Sequence, residues 1–384
     1  MKSIFSWRGT IFLVFIIVSG SLASLLLSGC SQQTQTITPT PTRAISSTPR
    51  DSGTVTTSAK PCTLKQRDFE MGIAFPQWNP TAYSKSDNEW MTELPQLRQQ
   101  TSACWVSMPV LFQQASESAT VLTPSPTSAP TVSAFTEGVQ YAHSLGLHVF
   151  FTPLIQVEGP QAWAGAIKFS SYAQEQQWFQ GYWQGIEPYV TAAAQTGVEQ
   201  IAIGTEEEWL QENAPDANWN SLITNIHGVF SGTLTYNMNF TALQKPVRNW
   251  MHNSNLKMIG ISTYLPVANT PARIDPSQMP NLWANTVKSQ LDAFAVRLGE
   301  PIFLSEVGYR NSTDALYHPW QQDSSNPADP QAQAGACNAA LVNSIPDPHI
   351  LGSFFWGWDE TGLFNLKNSS AATAIQSQYA TLQG

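Results

Sequence analysis

Charge is scarce in this chain. Lys and Arg number 18 and Asp and Glu 27 in 384 residues, for a net charge of −9. So few cations on an acidic background argue against a phosphate-backbone partner, and no nucleic-acid binding is expected. Cysteine is rarer still. The four residues Cys30, Cys62, Cys104 and Cys337 show no CxxC spacing, and the six His form no HExxH or HxH pattern. No metal site and no cofactor are therefore expected. A Gly-rich phosphate loop near the first apolar run is also missing, and that loop usually marks an open doubly wound sheet. Gly260-Ile261-Ser262 begins like a serine elbow, but Tyr264 stands where the closing Gly would be, which sets a serine hydrolase aside.

The one long apolar run lies at the N-terminus. Lys2 and Arg8 precede a mostly apolar stretch from Ile11 to Leu27, which stops at Leu27-Ser28-Gly29-Cys30. A positive start, an apolar centre and small residues before a cut site make a secretory signal over residues 1–29. The tetrapeptide resembles a bacterial lipobox, which implies lipid attachment to Cys30 and a membrane-anchored, extracytoplasmic protein. From Ser31 to Pro61, 18 of 31 residues are Ser, Thr or Pro. Such a segment buries too little to offset chain entropy and reads as a tether, spanning roughly 30 Å as a flexible coil. Outside the cytoplasm Cys62 and Cys337 could pair, although nothing in the sequence demands it, and Cys104 sits in an apolar run that suggests burial.

Aromatic residues make up 11% of the chain and include 14 Trp. Many indoles with few charges suit a protein that handles carbohydrate, because the C–H face of a sugar packs on an aromatic ring. From Cys62 onward, eight strand-like runs alternate with helical patterns. They are Glu70–Phe75, Ala103–Met108, His148–Thr152, Gln200–Gly204, Thr233–Asn237, Lys257–Ser262, Pro301–Ser305 and Ile350–Trp356. Val132, Phe135, Val139 and Ala142 recur at helical spacing, as do Val287, Leu291, Phe294 and Leu298. Gly146, Gly197 and Gly299 each stand between a helical pattern and a strand, as C-terminal caps do. Eight such units close most naturally into an α/β, (β/α)8 TIM barrel, expected to be monomeric. Long loops Gln113–Pro130 and Gln156–Ser171, the second carrying Trp163, would then lie at the catalytic end.

Two of the apolar runs end in a single carboxylate: Ile201-Ala202-Ile203-Gly204-Thr205-Glu206 and Pro301-Ile302-Phe303-Leu304-Ser305-Glu306. Strands four and seven face each other across the mouth of an eight-stranded barrel. Two carboxyl groups there, about 5–5.5 Å apart, form the acid and nucleophile of retaining glycoside cleavage. Glu207 and Glu208 would be catalytic only if the strand ended later, and a surface role is expected for both. Asp359 and Glu360 could touch substrate or sit in a solvated loop. Trp178 and Trp283, within helical patterns, are expected in the core, and the His residues in structural or surface positions.

Further fragments share an order with a known family. Trp163-Ala164-Gly165-Ala166-Ile167 is followed by Trp178 and Tyr182, then by Gly204-Thr205-Glu206. Leu234-Thr235-Tyr236-Asn237 and Thr263-Tyr264-Leu265-Pro266 come next, then Glu306-Val307-Gly308-Tyr309-Arg310 and Pro319-Trp320. In this the chain resembles clan A glycoside hydrolases, and within the clan it is most similar to glycoside hydrolase family 113, the β-mannanase-like barrels. The resemblance implies a polysaccharide or oligosaccharide substrate, with a β-linked mannan favoured over a β-glucan or a galactoside. It makes Glu206 the acid/base, Glu306 the nucleophile and Tyr264 the hydrogen-bond donor that orients it. Trp356 or Trp358 becomes the sugar platform, with Trp78, Trp163, Thr205 and Asn237 as further substrate contacts. Thr205 replaces the Asn that most of the clan places before its acid/base, and Phe240 stands where the family tends to have Trp. The competing reading is a lipid-anchored sugar-binding protein without turnover; the paired Glu206 and Glu306 argue against it.

Overall fold

The structure, a computed structural model, describes residues 62, 68–159, 162–358 and 362–383. The signal segment, Cys30, the tether, Asp359 and Glu360 lie outside the described residues. Eight parallel strands close on themselves: β1 (Glu70–Ala74), β2 (Trp105–Gln114), β3 (His148–Val157), β4 (Gln200–Thr205), β5 (Thr233–Asn239), β6 (Leu256–Ser262), β7 (Ile302–Val307) and β8 (Ile350–Phe355). Each pairs with the next, and β1 pairs with both β2 and β8, which leaves no open edge in the ring. This is the expected (β/α)8 barrel. A two-residue antiparallel strand, Thr123–Pro124, adds to the outer end of β2.

The helices start and stop where local chemistry dictates. Asp87, Thr131, Ser171, Asp329 and Ser369 each accept hydrogen bonds from first-turn N–H groups and so cap five of the six longest described helices; the sixth, Asp216–Val229, follows Pro215 and has no such cap. Gly197 and Gly299 end their helices in the left-handed conformation, and Gly146 turns the chain in the same way just before β3. Inside the ring, Phe150, Ala202, Met258, Phe303 and Phe354 form a compact plug. Its rings meet edge-on or tilted, with Phe150 5.0 Å from Phe354 and 5.7 Å from Phe303. Gly72 on β1 makes room for it, since a Cβ there would lie 2.2 Å from the Phe354 ring. The barrel is thus filled below, and only its upper end is left for a site.

Two expectations need correction. The strands β2 and β3 run further than the sequence pattern suggests, staying paired from Trp105↔His148 to Gln114↔Val157. Their apolar alternation continues through Phe112 and Ile155, so the two long loops start beyond the rim of the other strands. Cys62 pairs with Cys104, at a Cα–Cα distance of 5.7 Å, and Cys337 is a free buried thiol. The Cys104 N–H donates to the Met71 carbonyl, which brings it beside the segment entering β1, whereas Cys337 faces the core from the helix Pro330–Ser344. Among the described residues, no helix is long and apolar enough to cross a membrane, and no three His, Cys, Asp or Glu side chains gather as metal ligands.

Candidate active site

Glu206 follows the last residue of β4, and Glu306 lies one residue before the end of β7. Both strands carry an extra residue there. Ala202 pairs with Thr235 and Thr205 with Asn237, three steps on β4 against two on β5. Gly260 pairs with Phe303 and Ser262 with Glu306, two steps on β6 against three on β7. An inserted residue reverses the alternation of side chains across a sheet and re-aims the residue that follows. Phe303 belongs to the interior plug, so strict alternation would send Glu306 outward; the bulge turns it into the mouth. On β4 a second device completes the turn, because Glu206 adopts the left-handed conformation at φ 64°. Its N–H donates to the Asn237 carbonyl at 2.8 Å, and its carbonyl accepts from the Glu208 N–H at 2.8 Å.

Each carboxyl has its own set of donors. Ser262, Asn239 and Trp163 face Glu206 and favour its charged form. Asn239 Oδ1 already accepts from the Thr241 N–H, which leaves its amide N–H₂ for Glu206. The Tyr264 hydroxyl donates to Glu306 Oε2 at 3.0 Å, and its ring is held edge-on to Phe364. Burial and then the Glu206 charge push Glu306 up to about 8, against the opposing Tyr264 bond. Burial also raises Glu206, with a contribution from Glu208. The Glu206 charge thus disfavours a second charge on Glu306, as expected of two carboxyls that share one site. The Tyr264 phenol is raised well above its ordinary range by burial and by Glu306, and it remains a neutral donor.

The aromatic and polar candidates lie at the strand ends and in the loops that follow them. Trp356 is half-buried, and its N–H donates to the Val307 carbonyl, which sets it at the end of β7 beside Glu306. Its peptide bond to Gly357 is cis. Trp78 is half-buried in the turn after β1, and Trp163 is half-buried in the loop after β3. Trp358, by contrast, has no exposed surface and donates through Nε1 to Glu93 at 3.0 Å. It cannot serve as a platform, because both faces of its ring lie in the core. Asn237 is also fully buried, one layer below the mouth, where its Oδ1 lies against the backbone of Gly260. Thr205 is buried and turns its N–H to Glu207 Oε1 at 3.1 Å. Trp178 and Trp283 are core residues, as expected.

Sequence reasoning missed Asn239 and Ser262, which face Glu206. Period-two alternation from Asn237 would have found Asn239, had β5 been read two residues further. The surface role expected for Glu207 is also corrected, since this residue has no exposed surface. Glu208 is half-buried and bonds to the Thr241 hydroxyl.

Carboxyls at the ends of β4 and β7, one raising the other, form the kind of pair that glycoside cleavage uses. The model of Glycoside Hydrolase Family 113 matches residues 76–381. The chain belongs to this family. It is a glycoside hydrolase, and every described site residue from Trp78 to Trp358 lies within the matched span. The fold agrees with solved members. A GH113 β-1,4-mannanase superposes with a TM-score of 0.69 at 19% identity, covering 82% of this chain and 99% of that one. The GH113 β-mannanase AaManA from Alicyclobacillus acidocaldarius, in complex with ManMIm, gives 0.69 at 20% identity, covering 83% and 99%. A Glycoside Hydrolase Family 5 mannosidase from Rhizomucor miehei gives 0.53 at 11% identity, covering 82% and 92%. Among curated proteins none matches this chain by sequence.

Proposed function

We propose that this family 113 enzyme is a retaining β-mannanase whose acid/base is Glu206 and whose nucleophile is Glu306. The observation that carries the reading is the electrostatic coupling of the two carboxyls across the mouth, with Tyr264 bonded to Glu306 at 3.0 Å. Retaining cleavage needs one protonated and one ionised carboxyl on either side of the scissile bond. In the first step Glu306 Oε attacks the anomeric carbon while Glu206 delivers its proton to the departing glycosidic oxygen. A C–O bond to Glu306 forms as the C–O bond to the leaving sugar breaks. In the second step Glu206 takes a proton from water, whose oxygen displaces Glu306 and restores the original configuration. Tyr264 holds the attacking oxygen in place, and Trp356 supplies the platform beneath the sugar being cut. A β-1,4-linked mannan is favoured as substrate because the family members of like fold are β-1,4-mannanases.

The test is hydrolysis of a polysaccharide panel by the wild type beside Glu206→Gln and Glu306→Gln, with the anomer of the first product read by NMR. Cleavage of mannan with retention, and a loss of several orders of magnitude in both variants, is the expected result. Cleavage of another polymer only would remove the mannanase assignment and leave the mechanism. Glycan binding without cleavage by all three proteins would replace the enzyme with a receptor. We further propose that the lipidated Cys30 and the tether hold the barrel at an extracytoplasmic membrane face, which Cys30→Ala should release into the soluble fraction.

A further inference from the structure

Glu207 is the next residue after the acid/base, and it does not point into the mouth. It stands at the head of the short helix Glu208–Asn213, where a side chain ordinarily caps the first turn, yet it makes no such bond. Its carboxyl folds back instead. Oε1 accepts from the Thr205 N–H at 3.1 Å, and Oε2 occupies the space beside Gly204, where a Cβ would come within 2.6 Å of it. The residue is fully buried between the barrel and the helix layer. Tyr236 of β5 and Tyr182 of the helix Tyr172–Thr196 face it there, backed by Trp219, Trp250 and Trp178. Burial first and then the neighbouring Glu206 charge push its carboxyl up to about 7, against the opposing bonds from the Thr205 N–H and the Tyr236 hydroxyl. A carboxyl in so costly a place calls for an explanation.

The backbone supplies one. Glu206 is held at φ 64°, a conformation that a residue with a side chain adopts only when its surroundings impose it. The peptide before it is fixed by Glu207 Oε1, and its own N–H is fixed by the Asn237 carbonyl. We propose that Glu207 is a positioning residue that locks the left-handed turn and so aims the Glu206 carboxyl at the glycosidic oxygen. This rests on the assignment of Glu206 as acid/base. Gly204 is the other half of the device, because any side chain there would evict the carboxyl.

Three variants of the full-length protein test this: Glu207→Met, Glu207→Gln and Gly204→Ala. Met keeps the volume and loses the acceptor, whereas Gln keeps an oxygen for the Thr205 N–H. With a β-1,4-mannan oligosaccharide, Glu207→Met and Gly204→Ala should lose roughly 30- to 100-fold in kcat, with KM changed by less than about threefold, as expected for a misaimed catalytic group. Glu207→Gln should recover most of that loss. Crystal structures give a second readout that needs no substrate: Glu206 should leave the left-handed region in the Met variant and keep it in the Gln variant. A Met variant with wild-type kcat, a Gln variant as slow as Met, or an unchanged Glu206 turn in the Met variant would each overturn the proposal. If the wild type cuts no mannan, the substrate assignment fails while the structures still decide the role of Glu207.

Discussion

The hydrogen bond from Tyr264 to Glu306 can be isolated by a single atom. Tyr264→Phe removes the hydroxyl that donates to Glu306 Oε2 at 3.0 Å and keeps the ring against Phe364. Hydrogen bonds to charged groups contribute about 1.5–3 kcal/mol. If the bond is at full strength only while Glu306 is ionised and aimed, its loss should lower kcat/KM about 10- to 150-fold. The sign of the pH effect follows from the same bond. Tyr264 opposes the burial that raises Glu306, so removing it raises Glu306 further. The nucleophile must be ionised, and the acid limb of the kcat/KM profile therefore moves to higher pH. The assay is that profile on a β-1,4-mannan oligosaccharide, with thermal melting as a control for folding. A variant that melts normally, keeps kcat/KM within twofold and leaves the acid limb in place would refute the reasoning.

Two further outcomes are expected. Glu306 is raised in the folded state, so it contributes stability below its unfolded pKa and loses it as pH rises toward about 8. Glu306→Gln should consequently raise the Tm relative to wild type at pH 8 and much less at pH 4.5, and an equal shift at both pH values would contradict the assignment. The Cys62–Cys104 bridge closes a loop of 42 residues, for which chain entropy predicts about 4 kcal/mol of stabilisation. Replacing both by Ser should lower the Tm, and thiol titration of the denatured, unreduced protein should find Cys337 reactive but neither Cys62 nor Cys104.

The eight strands were legible because a parallel barrel buries both faces of each strand and so writes continuous apolar runs such as Ile201–Ile203 and Ile302–Leu304. The helix ends were legible at Gly197 and Gly299, because the left-handed cap is a local demand that glycine meets at little cost. Those features place Glu206 and Glu306 at the ends of their strands. Which way a side chain points is set by neighbours that are remote in the chain. The bulges on β4 and β7 exist only as registers against β5, β6 and β8, and no count along either strand reveals them. The same holds for Trp356 and Trp358, two residues apart in one loop: one reaches the mouth and the other is taken into the core by Glu93, 265 residues earlier. Cys62 finds Cys104 rather than Cys337 because β1 and β2 are neighbours in the ring.

The sequence by itself therefore determined the barrel, the two carboxylates and the family, since each rests on local pattern or on the order of short motifs. The tertiary structure alone decided that Glu306 faces its partner, that Glu206 is turned to meet it, and that Glu207 is buried behind the sheet. Direction at a strand end depends on register and on a single backbone dihedral, and the surrounding strands and helices impose both.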